Sequence, residues 1–251
     1  MTKRRKRFML TESDLIKYGR QISYPGFGEG GQGKLKRSHV VVAGLGGLGT
    51  ASSVYLACGG IGHITIVDGD FVELSNLNRQ ILHWEGDIGE RKTLSAARKL
   101  AKLNPSVEVT PIFERITHSN VGGIIEGAHA VIDGMDNFET RFILNSACVG
   151  AGIPFIHAGI NGLLGEITTI IPGKTPCFAC IFPQAPAEDG AVPAFGVTPA
   201  LMAALQATEA LKLLAGFGDL LAGKMLYFNG ETMEFTVVDL VRNPECSVCG
   251  F

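Results

Sequence analysis

The stretch His39-Val40-Val41-Val42-Ala43-Gly44-Leu45-Gly46-Gly47-Leu48-Gly49 decides how this chain folds. An apolar run bounded by glycine reads as a buried strand, and the small and apolar residues that follow read as a helix through about Cys58. A second strand, His63 to Asp68, ends in an acid 19 residues beyond Gly49. Each piece has a mechanical reason. Glycines permit a tight turn and let backbone N–H groups approach a phosphate, to which the helix N-terminus adds a favourable dipole. Asp68 would accept hydrogen bonds from ribose hydroxyls. The pattern suits NAD, flavin and ATP alike, because all three carry adenosine ribose and phosphate.

Outward from this unit, strands and helices keep alternating. Lys92 to Asn104 is an amphipathic helix ended by Pro105; Val107–Phe113 and His129–Asp133 read as strands, Asn137–Gly150 as a helix and Pro154–Ala158 as another strand. The spacing predicts an α/β fold with a Rossmann-like, doubly wound, mostly parallel sheet. Upstream, a first helix starts near Ser13 with Thr11 or Ser13 as cap, and Tyr24–Gly33 reads as a glycine-rich loop leading into a short basic helix ending near Arg37. Downstream, Gly165–Ile171 alternates like an antiparallel strand, Pro183–Pro199 is a long functional or mobile loop, Pro199–Leu214 is an apolar helix, and Lys224–Asn229 and Glu234–Leu240 are two strands. The helix at Pro199 is apolar nearly all round, so it is either deeply buried or at an interface.

The chain has 251 residues, 46% of them hydrophobic and 18% charged, enough for a sizeable core without disulfides. No apolar run is long enough for a membrane span. A net charge of -2 speaks against a general nucleic-acid binder. The block Lys3-Arg4-Arg5-Lys6-Arg7 reads as a solvated, mobile arm over residues 1–10. No apolar segment follows it as an export signal requires, so a cytoplasmic protein is expected.

Six cysteines then call for another explanation. Cys177-x-x-Cys180 and Cys246-x-x-Cys249, with 65 residues between the pairs, supply the four thiolates of a tetrahedral structural Zn²⁺ site. Closing a loop of that length costs roughly 4 kcal/mol plus a constant. Structural zinc contributes about 10–16 kcal/mol in small peptides. A redox role is disfavoured because neither pair is expected to open a helix in a thioredoxin-like context. Cys58 and Cys148, in apolar helices, read as buried and inert.

A third constellation combines Asn76, Arg79 and Gln80 with Lys92 and with Asp136-Asn137-Phe-Glu-Thr-Arg141. Asp136 falls just beyond the carboxyl end of a strand, where doubly wound folds bind ligands. Asn137 also suits a helix cap. Arg79 and Lys92 taken singly are surface cations. A carboxylate, two separated cations and a glycine loop together suit a nucleoside triphosphate with Mg²⁺ better than NAD.

Gly44-x-Gly46-x-x-Gly49, Asp68-Gly-Asp70, Ser75-Asn76-Leu-Asn-Arg79-Gln80, Ile88-Gly-x-x-Lys92, Asp136-Asn137-x-x-x-Arg141 and the paired cysteine motifs occur in one order. From about Leu15 to Gly250 the chain resembles the ThiF/MoeB/HesA family, relatives of ubiquitin-activating enzymes, and most nearly its molybdopterin-synthase and ThiS adenylyltransferases. The resemblance implies ATP-dependent adenylation of the C-terminal glycine of a small ubiquitin-like sulfur-carrier protein ending in Gly-Gly, giving an acyl-adenylate and pyrophosphate. It implies that Arg79 and Lys92 stabilise phosphate charge, that Asp136 holds Mg²⁺, that Asn76 reaches phosphate and that Asp68 holds ribose. Gly44, Gly46, Gly47 and Gly49 with Asp70, Gln80 and Asn137 complete the implied nucleotide site. Arg20 matches an arginine that dimers of the family lend to the neighbouring active site, so a homodimer is implied.

On this reading residues 11–251 form a single adenylation domain, with the nucleotide-binding part at about 11–160 and the zinc, crossover and carrier-binding part at about 161–251. Some relatives carry a cysteine in the crossover loop. Ile181–Lys224 contains none, Val192-Pro193-Ala194 occupying the region, and Phe251 ends the chain, so no rhodanese-like domain is expected. A separate sulfur donor is therefore expected to take over after adenylation. The competing readings are an NAD(P)- or flavin-linked oxidoreductase on the same fold, a non-catalytic half of a heterodimer, and adenylation of a transfer-RNA nucleoside or a peptide terminus.

Overall fold

The computed structural model describes residues 9–185 and 192–250. The basic block Lys3–Arg7, and Glu188 and Asp189 of the long loop, lie outside the described residues. Among the described residues eight strands form one sheet: β1 (His39–Ala43), β2 (His63–Val67), β3 (Glu108–Ile112), β4 (Ala130–Asp133), β5 (Phe155–Asn161), β6 (Leu164–Ile170), β7 (Lys224–Asn229) and β8 (Glu234–Asp239). Their order is β3-β2-β1-β4-β5-β6-β7-β8. The first five run parallel, with Val41 opposite both Thr65 and Val131. The last three continue the sheet antiparallel, as the sequence predicts.

Helices α1 (Glu12–Lys17), α2 (Gly19–Ile22) and α3 (Gly28–Arg37) precede β1. Helix α4 (Gly47–Gly59) leads from β1 to β2, α5 (Lys92–Leu103) from β2 to β3, α6 (Val121–Ile125) from β3 to β4, and α7 (Phe138–Ala151) from β4 to β5. Between β6 and β7 lie α8 (Phe178–Ile181) and α9 (Val197–Ala215). Because strand side chains alternate, Val40, Val42 and Ile132 pack with α4 and α9 on one face of the sheet, while Val41, Ala43 and Val131 pack with α6, α7 and α8 on the other. Buried on both faces, these central strands read as continuous apolar runs.

Thr11 caps α1 in a capping box: its hydroxyl accepts from Asp14 N–H and Asp14 accepts from Thr11 N–H, which fixes the cap at Thr11 rather than Ser13. The glycine-rich loop expected over Tyr24–Gly33 is overturned in its second half, since α3 already starts at Gly28. A Cβ at Gly31 would lie 2.6 Å from the Phe27 ring, so glycine here lets Phe27 fold over the first turn, and tertiary packing overrides poor helix propensity. Strand β5 runs on to Asn161 because the two residues Gly162-Leu163 turn it directly into β6, with Gly162 at φ 60°. Helix α9 places Met202, Ala203, Gln206, Ala207 and Ala210 in the core, and Thr208 is exposed. Among the described residues no helix is long and apolar enough to cross a membrane.

Candidate functional site

In this strand order the chain leaves β1 towards one side and β4 towards the other, which opens a crevice at their carboxyl ends. The glycine loop lines one wall. Gly44 has φ 88°, and its N–H donates to Val67 O at 2.8 Å. A Cβ at Gly49 would fall 1.8 Å from the Gly44 carbonyl oxygen, so the loop is packed backbone on backbone there. Gly46 differs: among the described residues a Cβ there would find only Gly134 O, at 3.8 Å, within contact range. Gly46 is also the N-cap of α4 and carries no side-chain cap, so the first-turn N–H groups remain for an anion.

Asp68 sits beside this loop. Its Oδ2 accepts from Leu45 N–H at 2.7 Å and its Oδ1 from Asp70 N–H at 2.8 Å. Burial raises its pKa, opposed by nearby Lys92 and by the two amide bonds. Lys92 opens α5 and is buried, 6% exposed, with Nζ 3.3 Å from Asp70 Oδ2. It is therefore not the surface cation that a lone lysine suggests. Arg115, which sequence reasoning missed, lies 3.4 Å from Asp70 Oδ1. His83 was also missed. It is buried under the glycine loop, with Nδ1 3.0 Å from Ser95 Oγ and Nε2 3.3 Å from Leu45 O. Burial, reinforced by Lys92 and Lys99, brings its pKa down to about 4.

A 3₁₀ turn, Leu74–Asn76, carries the next group. Buried Asn76 uses Oδ1 to accept from Glu73 N–H at 3.0 Å. Arg79 Nη1 donates to Ser75 O and Asn78 Oδ1, each at 2.9 Å, and its stem passes 3.6 Å from the Cβ position of Gly47. Among the described residues, buried Gln80 Oε1 has no hydrogen-bond partner. The entry to α9 crosses over the same place: a Cβ at Gly47 would meet Pro199 at 2.9 Å, and one at Gly196 would meet Asn78 O at 2.4 Å. Pro193 O and Thr198 Oγ1 fasten this crossing to Gly162, at 2.7 and 2.8 Å.

On the β4 side, Asp136 is exposed and accepts from Asn137 Nδ2 at 3.3 Å, while Asn137 Oδ1 caps α7 by accepting from Thr140 N–H at 2.9 Å. Arg20 lies elsewhere. It is exposed and lines a cavity of about 310 Å³ with Tyr24, Phe27, Leu211 and Phe217. The structure thus brings the glycine loop, Asp68, Asp70, Lys92 and Arg79 together and leaves Arg20 on another face of the same chain.

The four cysteines of the paired motifs cluster, with their Sγ atoms all within 4.8 Å of one another. Cys177 and Cys246 are 3.7 Å apart and Cys180 and Cys249 3.4 Å. Four thiolates about 2.3 Å from one Zn²⁺ would lie about 3.8 Å apart at tetrahedral geometry, so the donor set fits. Burial pushes the Cys177 thiol up to about 12. At Cys246 burial acts the same way, but the backbone N–H groups of Cys249 and Val248 and the neighbouring thiols outweigh it and bring the thiol down to about 7. One expectation is corrected in part: Cys177 does open a helix, as N-cap of α8, but that helix has only four residues, too few to show a sequence period. All four thiols converge on one point, which suits a metal rather than a redox pair. A second correction concerns Cys58, which is exposed. Helix α4 is apolar on several sides, so its sequence does not reveal which side faces out. Desolvation raises the Cys58 pKa, the opposite of activation. Cys148 is buried as expected, and its thiol is pushed by burial up to about 12.

A family model described as the ThiF family matches residues 18–248. The chain is 43% identical to the SAMP-activating enzyme E1 of Haloferax volcanii, over 96% of this chain and 91% of that protein. It is 40% identical to the sulfur carrier protein adenylyltransferase of Thermus thermophilus, over 96% and 92% respectively. The crystal structure of E. coli MccB with ATP superposes with a TM-score of 0.82 at 27% identity, covering 96% of this chain and 82% of that one. A match that runs through the glycine loop, the crevice, the first cysteine pair and Cys246 leaves one conclusion: the chain belongs to the ThiF family.

Proposed function

We propose that this protein is an ATP-dependent adenylyltransferase that activates the C-terminal glycine of a small ubiquitin-like sulfur-carrier protein ending in Gly-Gly. What supports this reading is an uncapped helix N-terminus with room at Gly46, Arg79 beside Gly47, Lys92 held against Asp70, and Asp136 two residues beyond Gly134, whose backbone touches Gly44. Relatives named for sulfur-carrier adenylation and E1 activation support it over an oxidoreductase on the same fold.

The residues fit the nucleotide. The N–H groups of Gly47 and its neighbours would receive phosphate, and Asp68, held by two backbone amides, would receive ribose hydroxyls. Asn76 would reach phosphate through Nδ2, since its oxygen closes the turn. Asp70 keeps Lys92 in place at 3.3 Å. When the carrier carboxylate attacks the α-phosphate, negative charge builds on the phosphate oxygens. Arg79 and Lys92 stabilise it as preorganised cations, each worth about 10²–10³ in rate when removed. Mg²⁺ held by Asp136 would neutralise phosphate charge further. No protein nucleophile is needed for this step, which rests on positioning and electrostatics. Cys177, Cys180, Cys246 and Cys249 would hold Zn²⁺ with all four of its positions filled, and it would serve as a structural clip rather than as a catalyst. Arg20, remote from the crevice of its own chain, acts in that of a second copy within a homodimer.

Intact-protein mass measurement tests the reading. Carrier, ATP, Mg²⁺ and enzyme mixed without reductant should give a carrier heavier by one adenylyl group and no covalent enzyme–carrier adduct. A dithiothreitol-sensitive adduct in place of the adenylate would contradict it, and the mapped cysteine would show where.

A further inference from the structure

The connection from β4 to α7, which carries Asp136, is held from behind by a buried ionic group. Asp133, fully buried at the end of β4, accepts from Met135 N–H through Oδ1 at 3.0 Å. Its Oδ2 lies 2.6 Å from His157 Nδ1 and 3.1 Å from Arg141 Nε. Arg141 in turn donates through Nη2 to the Met135 carbonyl at 2.7 Å. Both backbone polar groups of Met135, one in each of its flanking peptides, are therefore tied to a single ion pair, and Asp136 is the next residue along the chain.

His157 stands on β5 with no exposed surface, its ring 4.9 Å from that of Phe178. Its second nitrogen lies 3.5 Å from Glu166 Oε1. Burial opposes a charge on this ring, but Asp133 on one nitrogen and Glu166 facing the other raise its pKa above the usual value. Buried ions cost several kcal/mol each and are weak contributors to stability, so a well-packed apolar set could serve the core as well. What an apolar set could not do is hold the Met135 backbone by its N–H and its carbonyl, as Asp133 and Arg141 do.

We infer that Asp133, Arg141 and His157 are positioning residues that set Asp136 for its metal. The inference rests on the proposed role of Asp136. His157 stops the Asp133 carboxylate from rotating, Asp133 and Arg141 hold Met135, and the Asp136 carboxylate is thereby presented at the crevice in one orientation. Loss of a group that orients a metal ligand typically costs about 10–100-fold in metal affinity.

The test uses Mn²⁺ as probe on the full chain with ATP, bound metal being read by electron paramagnetic resonance. His157→Leu should weaken Mn²⁺ binding about 10–100-fold while leaving metal-free ATP binding unchanged. His157→Asn, whose Nδ2 can take the place of Nδ1, should restore it. Arg141→Lys keeps a positive charge beside Asp133 but loses the forked geometry that reaches the Met135 carbonyl, and should show the same loss should the leucine variant fail to fold. Wild-type Mn²⁺ affinity in His157→Leu and Arg141→Lys, with binding lost in Asp136→Ala, overturns this inference alone. Retained binding in Asp136→Ala overturns the metal reading of Asp136 and the inference with it.

Discussion

Gly44 and Gly134 meet backbone to backbone at the carboxyl ends of β1 and β4. A Cβ added to Gly44 would lie 2.6 Å from the Gly134 carbonyl oxygen, and one added to Gly134 would lie 2.7 Å from the Gly44 carbonyl oxygen. The crevice is as narrow as it is because neither position carries a side chain. Gly134→Ala should destabilise the protein by about 1–3 kcal/mol, since backbone rather than a flexible side chain must yield. Gly46→Ala should leave Tm unchanged, its Cβ meeting nothing closer than 3.8 Å, while abolishing the rise in Tm caused by ATP. Thermal melts of both variants with and without ATP check this. An undiminished ATP response in Gly46→Ala would speak against phosphate binding at that turn.

Metal analysis should give about one zinc per chain, as a closed four-thiolate site requires. Cys246→Ser should lower Tm by releasing the C-terminal turns from α8, while the groups at the crevice stay where they are. Full zinc content in a variant lacking both Cys177 and Cys246 would contradict the assignment.

Much of this architecture was legible because the signals are local. The strand, glycine turn and helix at His39–Gly59, the acid just past β2, and the alternation through β5 apart from the short α6 follow from apolar periodicity and turn residues alone. The paired cysteines announced their cluster through spacing. Asp133 and His157 were not legible as a pair, for each follows apolar neighbours in a different strand, and only sheet packing brings them within 2.6 Å. His83 likewise gains meaning only when Leu45 is placed above it. The exposure of Cys58 depends on which side of α4 is left uncovered, a tertiary fact.

The depressed pKa of His83 has a signed consequence for stability. Folded, the ring stays neutral until about pH 4; unfolded, it takes up a proton near its ordinary 6.5. Its contribution is therefore complete above about pH 6.5 and is lost as pH falls towards 4. Tm of the wild type should fall more steeply across that window than Tm of His83→Gln, which keeps a donor for the Leu45 carbonyl but does not titrate. Parallel curves for the two proteins would refute the assignment.

If Arg20 serves a partner's crevice, inactive Arg20→Ala and inactive Asp136→Ala chains should recover part of the activity when mixed, because a mixed dimer contains one intact site. Activity should rise as subunits exchange. No recovery, with heterodimers shown to form by native mass spectrometry, would place Arg20 outside the reaction.

Carrier-dependent exchange of labelled pyrophosphate into ATP tests the central claim most directly, because it reports reversible formation of the acyl-adenylate and no later step. The wild type should catalyse exchange only when both Mg²⁺ and a carrier ending in Gly-Gly are present. Arg79→Ala and Lys92→Ala should each lower the rate by about 10²–10³-fold, and Asp136→Ala should abolish it while keeping the wild-type circular-dichroism spectrum. Exchange at the wild-type rate in Asp136→Ala, or without any carrier, would contradict the account.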